Sequence, residues 1–226
     1  MCGRYALYSN LEQIKSHFPT DLVACDSEPN YNVAPTREVL AIVKQDGLNT
    51  LDKLHWGLVP FWAKDTKIGS KMINARQETL SSKPAFREAF KHRRCLIPAD
   101  GFYEWYGANG QKQPMFITLP DKKPFAFAGL WETWQAKNES GSAYRSCTII
   151  TREATGGLKK IHDRMPVVLQ PDAYYSWMDH NEYKIESLQD LLSRKSVTEF
   201  AFYPVSKKVN AIRNNEPENI EPVELV

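Results

Sequence analysis

The hydrophobic and polar positions of the chain alternate in many short stretches, which predicts a fold built mainly from short strands. Runs rich in β-branched and aromatic residues are bounded by turn-forming residues, as is typical of strands. Asp46-Gly47 separates the first two runs and favours a tight hairpin, and Gly107–Gly110 predicts a turn between two later runs. The predicted strands cover residues 39–43, 51–58, 94–97, 102–105, 115–119, 125–130, 146–151 and 200–205.

Helical periodicity is limited to a few short segments. The stretch Ser9-Asn10-Leu11-Glu12 has the form of a capping box and predicts a helix that ends before Pro19. A serine cap, Pro84 in the first turn and two phenylalanines four residues apart predict a second helix over about 84–92. Later helices are predicted over residues 171–178 and 185–192.

The order of these elements favours one domain over residues 1–226, because no repeat, low-complexity tract or linker interrupts it. We expect an α+β fold, a single domain with an antiparallel, barrel-like β-sheet core flanked by short helices. The final segment, about residues 210–226, is rich in glutamate and proline. We therefore expect it to be a loose acidic tail.

Composition narrows the functional classes without choosing one. The chain carries 29 Lys and Arg against 27 Asp and Glu, so overall charge neither requires nor excludes a nucleic acid partner. The four cysteines, at positions 2, 25, 95 and 147, lack the paired short spacing of zinc sites. No stretch approaches the roughly 20 apolar residues of a membrane span. We expect a soluble cytoplasmic protein with reduced thiols, no metal and no cofactor.

The cysteine at position 2 stands directly after the initiator methionine. Aminopeptidases remove that methionine when the next side chain is small, and cysteine is small enough. Removal of Met1 would leave a free α-amine and a thiol on the same residue. Such an aminothiol has a chemistry that no internal residue has, so Cys2 is a candidate nucleophile.

The stretch Gly101-Phe102-Tyr103-Glu104-Trp105 places a carboxylate within a strand pattern. Alternation puts Phe102 and Glu104 on one face of that strand. If this face is inward, desolvation raises the pKa of Glu104 and suits it to general acid–base catalysis. If the strand lies at a sheet edge, Glu104 is an ordinary surface glutamate. Periodicity alone favours the second alternative.

Two further clusters combine polar and apolar residues. His162 lies in a charged, loop-like stretch before Pro166 and titrates near neutrality, although a single histidine is more often structural than catalytic. The stretch 73–78 brings Asn74 and Arg76 together beside an apolar residue. Most clusters of this second kind are solvated loops, so neither pattern is decisive alone.

Basic and aromatic residues provide candidate contacts for nucleic acid. Arg87 and Lys91 share one face of the predicted second helix and could contact successive phosphates, whereas a solvated helix face is the alternative. The run Pro60-Phe61-Trp62 could stack on bases, although aromatic residues lie more often in a core. Each of these patterns is weak when taken separately.

Taken together, six motifs in order resemble the SOS response-associated peptidase family, the abasic-site processing proteins. The resemblance extends from Cys2 to about Lys208 and is carried by Met-Cys-Gly-Arg at the start, Tyr-Asn-Val-Ala-Pro at 31–35, Trp-Gly at 56–57, Ile-Asn-Ala-Arg at 73–76 with Glu78, Pro-Ala-Asp-Gly-Phe-Tyr-Glu-Trp at 98–105, and Ile-His-Asp-Arg-Met-Pro at 161–166.

This resemblance implies a protein that binds single-stranded DNA at an abasic site and links itself covalently to the ring-opened sugar. Cys2 corresponds to the nucleophile, and Asn74, Glu104 and His162 correspond to the polar residues of the active site. The amine would form an imine and the thiol would close a thiazolidine ring. An imine that does not close could cleave the strand, which gives a lyase side activity.

The resemblance also implies where DNA is contacted. Arg4 and Arg76 correspond to phosphate contacts, and Pro60-Phe61-Trp62 corresponds to a base-stacking wedge. Arg164 is a further candidate DNA-binding residue. Where some members of the family have an arginine, this chain reads Ser82-Lys83-Pro84. Lys83 and Arg87 are therefore the candidate DNA contacts in that region.

Two alternatives remain open. Cys2, Glu104 and His162 could form a self-processing or SOS-associated cysteine-type peptidase, although no oxyanion-hole motif is recognisable in the sequence. The chain could instead be a non-covalent single-stranded DNA binding module in which Cys2 only packs. We expect a monomer with no membrane partner, located in the cytoplasm and associated with the nucleoid when bound to DNA.

Overall fold

The computed structural model describes residues 2–107, 112–136, 143–182 and 184–224. Within these ranges the chain forms fourteen strands and four α-helices. The strands are β1 (Tyr5–Leu7), β2 (Leu22–Val23), β3 (Asn30–Val33), β4 (Glu38–Gln45), β5 (Leu48–Trp56), β6 (Asn74–Arg76), β7 (Arg94–Ala99), β8 (Gly101–Tyr106), β9 (Gln113–Thr118), β10 (Phe125–Trp134), β11 (Tyr144–Glu153), β12 (Arg164–Pro166), β13 (Val168–Leu169) and β14 (Ala201–Pro204). The helices are α1 (Leu11–His17), α2 (Arg87–His92), α3 (Tyr174–Met178) and α4 (Ile185–Arg194).

The larger sheet closes into a ring. Strands β5, β4, β7, β10 and β11 pair in that order, each antiparallel to the next. The ring closes where β11 pairs with β5 in parallel, with Ser146 opposite His55 and Cys147 opposite Trp56. The prediction of an α+β domain with an antiparallel, barrel-like core is confirmed, and its seam is parallel.

A second sheet packs on this ring. Its strand order is β14-β9-β8-β1-β3, so β1 and β8 are both interior strands. Tyr5 and Phe102 share one hydrophobic cluster with the ring residues. Side chains on the opposite face of this sheet, such as Tyr103 and Phe116, form a smaller cluster with Val209. Both faces of the sheet are therefore covered.

The Asp-Gly hairpin signal is confirmed by the turn between β4 and β5. Asp46 and Gly47 both have left-handed backbone angles, with φ of 51° and 84°. Two successive positive φ values match the twist of the flanking strands. The turn predicted over Gly107–Gly110 lies mostly outside the described residues.

The N-terminal helix forms, but with a different cap from the one predicted. Asn10 is the N-cap, and it exchanges hydrogen bonds with Gln13 in a capping box. The predicted cap, Ser9, instead donates its hydroxyl to Asp100 Oδ1 at 2.6 Å. Ser9 does not cap the helix because its hydroxyl is hydrogen-bonded to this buried carboxylate, which is distant in sequence.

The second predicted helix is shorter than expected. Hydrogen bonds from Phe86 and Arg87 to the carbonyl oxygen of Lys83 form a turn, and α2 begins only at Arg87. The helices predicted over 171–178 and 185–192 correspond to a 3₁₀ turn followed by α3, and to α4. No helix among the described residues is both long enough and apolar enough to span a membrane.

The acidic C-terminal segment is docked, which corrects the expectation of a loose tail for residues up to 223. Val205 pairs with Pro222 in an antiparallel bridge, and the Val223 N–H donates to the Pro204 carbonyl oxygen. The Tyr203 hydroxyl donates to the Ile220 carbonyl oxygen at 2.9 Å. The amino-acid composition predicted disorder because composition contains no information about these specific backbone contacts.

Residues 57–72 form a loop whose two ends touch through glycines. A Cβ placed on Gly57 would lie 2.6 Å from the carbonyl oxygen of Gly69, and the φ of Gly57 is +143°. The Val59 N–H donates to the Ser146 hydroxyl at 2.8 Å, which ties the loop to the ring. The loop therefore leaves the ring seam at a fixed angle.

Candidate functional site

Cys2 lies just before β1 and is completely buried in the main hydrophobic cluster. Burial raises the pKa of its thiol far above the usual range, and the Glu104 carboxylate raises that pKa further. A hydrogen bond from the Arg4 backbone lowers it less than burial raises it. The thiol is therefore protonated in this environment and needs a base before its sulfur can attack.

Glu104 is 5% exposed, although it carries a carboxylate. Its strand, β8, lies between β1 and β9, so the alternative of a surface glutamate on an edge strand is wrong. Burial raises the pKa of Glu104, and the nearby His162 opposes that rise. Because Glu104 also acts on the thiol of Cys2, one buried carboxyl group influences both the cysteine and the histidine.

His162 follows a 3₁₀ turn over Gly156–Lys160 and precedes β12. Its Nδ1 accepts a hydrogen bond from the Arg164 backbone N–H at 2.9 Å and lies 2.7 Å from Asp163 Oδ1. Accepting from the Arg164 N–H requires an Nδ1 without a proton, whereas donating to Asp163 requires a proton on Nδ1. The two contacts of Nδ1 therefore cannot form at the same time.

Glu104 and His162 line one narrow cleft. Its walls are otherwise largely apolar, and it leaves no space for a water-sized sphere. Charges interact more strongly in such a dry setting than at a solvated surface. The remaining lining residues are Phe102, Ile117, Leu158, Ile161, Arg164 and Met165.

Asn74 begins β6, which runs parallel to β11. Its Nδ2 and the indole Nε1 of Trp56 both donate to the Ile73 carbonyl oxygen, at 3.0 and 2.8 Å. The Trp56 ring in turn contacts Tyr5 edge-on, with centroids 5.4 Å apart. The other amide atom, Asn74 Oδ1, is buried and has no hydrogen-bond partner among the described residues. A buried acceptor without a donor is costly, and it marks a place for a ligand donor.

Arg164 is held by the protein. Its guanidinium forms a two-pronged ion pair with Glu78, with N–O distances of 2.8 and 3.0 Å, and donates to the Thr151 carbonyl oxygen at 2.8 Å. Its side chain is 11% exposed, and the ion pair lowers the pKa of Glu78. In this structure the candidate DNA-binding residue fixes the stretch that carries His162.

The other basic residues predicted to contact DNA differ in exposure. Arg76, Lys83 and Arg87 are exposed, and Arg87 lies 3.7 Å from Glu88 in a surface ion pair. Arg4 is only partly exposed, and its Nη1 donates to protein oxygen atoms. The exposed residues are thus accessible to a polyanion, whereas Arg4 is already oriented by the fold.

The three residues of the run Pro60-Phe61-Trp62 differ in their exposure to solvent. Pro60 is buried, whereas Phe61 and Trp62 are 56% and 47% exposed. The Ala63 carbonyl oxygen accepts a hydrogen bond from the Trp134 indole at 2.8 Å, which fixes the loop beside them. Two large aromatic rings are therefore presented to solvent on an anchored loop, the arrangement that base stacking needs.

Sequence reasoning gave no role to two residues that organise this region. Glu78 belongs to the motif at residues 73–78, but its pairing with Arg164 depends on the fold and could not be predicted from the sequence. Asn32 lies in the Tyr-Asn-Val-Ala-Pro motif and accepts a hydrogen bond from Arg4 at 2.7 Å. No group of three or more His, Cys, Asp or Glu in the described ranges is arranged to hold a metal ion.

The sequence is similar to several curated proteins over nearly its whole length. It is 45% identical over 224 residues to the abasic site processing protein YoqW of Bacillus subtilis (strain 168), covering 98% of this chain and 99% of that protein. It is 34% identical to the abasic site processing protein YedK of Escherichia coli (strain K12), covering 99% and 100%. It is 33% identical to the abasic site processing protein HMCES of Gallus gallus, covering 87% and 67%.

Solved structures share the fold. A protein from Bacteroides thetaiotaomicron superposes with a TM-score of 0.82 at 23% identity, covering 99% of this chain and 100% of that one. A phage-related protein from Bordetella bronchiseptica gives a TM-score of 0.71 at 29% identity, covering 91% and 95%. The family model described as "SOS response associated peptidase (SRAP)" matches residues 1–212. The chain therefore belongs to the SOS response-associated peptidase family, whose curated members are named as abasic site processing proteins.

Proposed function

We propose that this protein captures abasic sites in single-stranded DNA by forming a covalent bond through Cys2 after Met1 has been removed. The observation that carries the proposal is that Glu104 and His162 line one cleft while the same Glu104 carboxyl group raises the pKa of the Cys2 thiol. Membership of a family whose curated members are named abasic site processing proteins supports the choice of substrate.

The first step is the attack of the Cys2 α-amine on the sugar. An α-amine has a pKa near 8, against about 10.4 for lysine, so a useful fraction is neutral and nucleophilic at physiological pH. The abasic sugar is mostly a closed hemiacetal. As the ring opens, His162 donates a proton to the ring oxygen and the anomeric hydroxyl releases its proton to water, so that C1 becomes an aldehyde. The aldehyde carbon then accepts the amine nitrogen.

The second step closes a ring around that carbon. The amine adduct loses one water to give an imine, and the Cys2 sulfur then adds to the imine carbon. The thiol proton passes to the nitrogen by way of Glu104, the carboxyl group that acts on this thiol. The product is a five-membered thiazolidine, favoured because both nucleophiles belong to one residue. In total, aldehyde, amine and thiol give thiazolidine and one water.

Asn74 provides orientation in this scheme. Its Oδ1 is a buried acceptor without a partner among the described residues, and an attacking amine carries N–H donors. An imine that escapes closure can lose a proton from the sugar and cleave the strand. Lyase activity is therefore a side branch of the same chemistry.

The direct test is the intact mass of the adduct. Purified protein is incubated with a single-stranded oligonucleotide that contains one abasic site, and the product is denatured and weighed. We expect the mass of the protein without Met1 plus that of the DNA minus one water. A borohydride-reduced abasic site has no aldehyde and serves as the control. A product that retains Met1, or an equal yield with the reduced site, would overturn the proposal.

The family name favours a second candidate, a peptidase that removes its own Met1. Cys2, Glu104 and His162 provide a nucleophile and two proton-transfer groups for that reaction as well. Intact masses of purified Glu104→Ala and His162→Ala proteins distinguish the candidates. Retained Met1 in both variants, with Met1 absent from wild type, supports self-processing, whereas complete removal in all three assigns the cleavage to another enzyme.

A further inference from the structure

Asn32, in β3, connects the beginning of the described chain to its end. Its side chain is buried, with 3% exposure. Its Oδ1 accepts from Arg4 Nη1 at 2.7 Å, while its Nδ2 donates to the carbonyl oxygens of Val209, Ala211 and Asn214 at 3.2, 3.1 and 2.7 Å. Both polar atoms of the Asn32 side-chain amide are therefore hydrogen-bonded within the protein.

Residues 207–219, called here the C-terminal brace, accept hydrogen bonds from a residue just before β1 and from a residue in β8. Arg4 Nη1 donates to the Val209 carbonyl oxygen at 2.8 Å, and the Trp105 indole donates to Asn210 Oδ1 at 2.7 Å. Arg4 lies two residues after Cys2, and Trp105 directly follows Glu104. The Arg4 guanidinium also sits 5.9 Å from the centre of the Trp105 ring.

Arg4 is oriented without being neutralised. Burial lowers the pKa of its guanidinium, yet its acceptors are an amide oxygen and a backbone carbonyl oxygen. No carboxylate among the described residues forms an ion pair with it. A charged group held only by neutral acceptors keeps its full attraction for an external anion. An aspartate at position 32 would fix the same guanidinium but cancel that charge.

We propose that Asn32 is a positioning residue through which the C-terminal brace holds Arg4, still positively charged, for a DNA phosphate beside the captured sugar. This inference rests on the proposed function, because it requires a DNA substrate. It explains why an amide, and not a carboxylate, stands at the junction of β3 and the brace. It also gives the segment beyond β14 a part in DNA capture.

The test is the salt dependence of binding to a single-stranded oligonucleotide without an abasic site. Each phosphate contact on a single strand contributes about 0.7 to the slope of log affinity against log salt concentration. We expect Asn32→Asp to reduce this slope by about 0.7, the value for one lost contact. Arg4→Ala should reduce it equally, and the double variant should lose no more than either single variant.

Asn219→Leu is the matched control. Asn219 is also buried in the brace, at 2% exposure, and donates to the Asn214 carbonyl oxygen at 2.7 Å, but it does not contact Arg4. We expect this variant to lose stability and keep the wild-type slope. An unchanged slope in folded Asn32→Asp, or an equal loss in Asn219→Leu, would overturn the inference.

A further variant keeps the test decisive if Asn32→Asp does not fold. Arg4→Lys preserves the charge but lacks the planar guanidinium whose Nη1 donates to both Asn32 and Val209. We expect its salt slope to match that of Arg4→Ala, and a wild-type slope would overturn the role of orientation. Wild-type protein that binds no single-stranded DNA at any salt concentration would overturn the proposed function itself, which separates the two failures.

Discussion

Two buried polar regions of this protein differ in how completely their hydrogen bonds are satisfied. Arg94, at the start of β7, is completely buried and stacks on Trp177 at 5.7 Å. Burial lowers its pKa to about 10, which leaves it charged at neutral pH. Its guanidinium donates to the carbonyl oxygens of Phe90, Lys91, Trp177, Asp179 and Glu182.

In the candidate site, Cys2 and Glu104 are buried, whereas Asn74 and His162 are half-buried. Asn74 Oδ1 has no partner among the described residues, and burial raises the pKa of Glu104 against the preference of a carboxyl group for ionisation. The Arg94 guanidinium is satisfied by the protein alone, which suits it to a role in stability. The unsatisfied Asn74 oxygen and the raised pKa of Glu104 carry a cost of the kind found at functional sites.

The largest expected effect is the loss of the adduct in Cys2→Ala. Without the thiol no thiazolidine can close, and we expect no band resistant to denaturation on a gel. Cys147→Ala is the matched control, since Cys147 is also completely buried and burial also raises its pKa. We expect that control to cross-link at the wild-type level. A full yield from Cys2→Ala would place the reactive group elsewhere.

Glu104→Gln should slow cross-linking and should also remove one contribution to the pH dependence of stability. Loss of a proton-transfer group lowers the rate of cross-linking by about 100-fold. Because burial raises the pKa of Glu104, the folded wild type loses stability as pH rises from the usual glutamate range through that raised pKa. Glutamine does not ionise, so the variant should keep its stability across that window. Urea unfolding at several pH values measures this, and parallel profiles for both proteins would contradict it.

Arg94→Met should lower the stability of the fold and leave the rate of cross-linking unchanged. Five backbone carbonyl groups lose their charged donor, and we expect the free energy of unfolding to fall by about 3 kcal/mol. The rate of cross-linking per folded molecule should stay at the wild-type value, because Arg94 contacts none of the four site residues. Urea titration and gel assays measure the two quantities. A rate that falls with stability would remove the distinction between the regions.

Among the variants of the candidate site residues, Asn74→Ala should give the smallest effect on rate, about tenfold, since it removes an orienting hydrogen bond and no proton-transfer group. Thr148→Val is its control, because Thr148 Oγ1 is also buried without a partner among the described residues. We expect Thr148→Val to cross-link normally in a timed gel assay. Equal rates in the two variants would show that an unsatisfied oxygen does not by itself mark the site.

Short sequence motifs correctly predicted those elements whose structure depends only on neighbouring residues. The Asp46-Gly47 hairpin formed because two consecutive positive φ values are needed there and these residues tolerate them. Ser9 was wrongly assigned as a helix cap because Asp100 competes for its hydroxyl from 91 residues away. The parallel seam between β5 and β11 could not be predicted either, because it joins strands that are distant in sequence.

The candidate site was predicted in a different way. Motif order identified Cys2, Asn74, Glu104 and His162 as a set, whereas the setting of Glu104 depended on β1 and β9 flanking its strand. Periodicity within β8 could not decide whether those neighbours were present. The pairing of Arg164 with Glu78, 86 residues apart, and the contacts of Asn32 likewise depend on the assembled fold.

The contact between Arg4 and Val209 joins residues 205 positions apart, and this has a consequence for synthesis on the ribosome. The residues around Cys2 and Asn32 are translated early, but the Val209 carbonyl oxygen, the second acceptor of Arg4, is translated almost last. A nascent chain therefore contains Cys2 and Arg4 long before the contact that Val209 makes with Arg4 can form. Under the proposed function, the orientation of Arg4 for a DNA phosphate is complete only after nearly the whole polypeptide has been made.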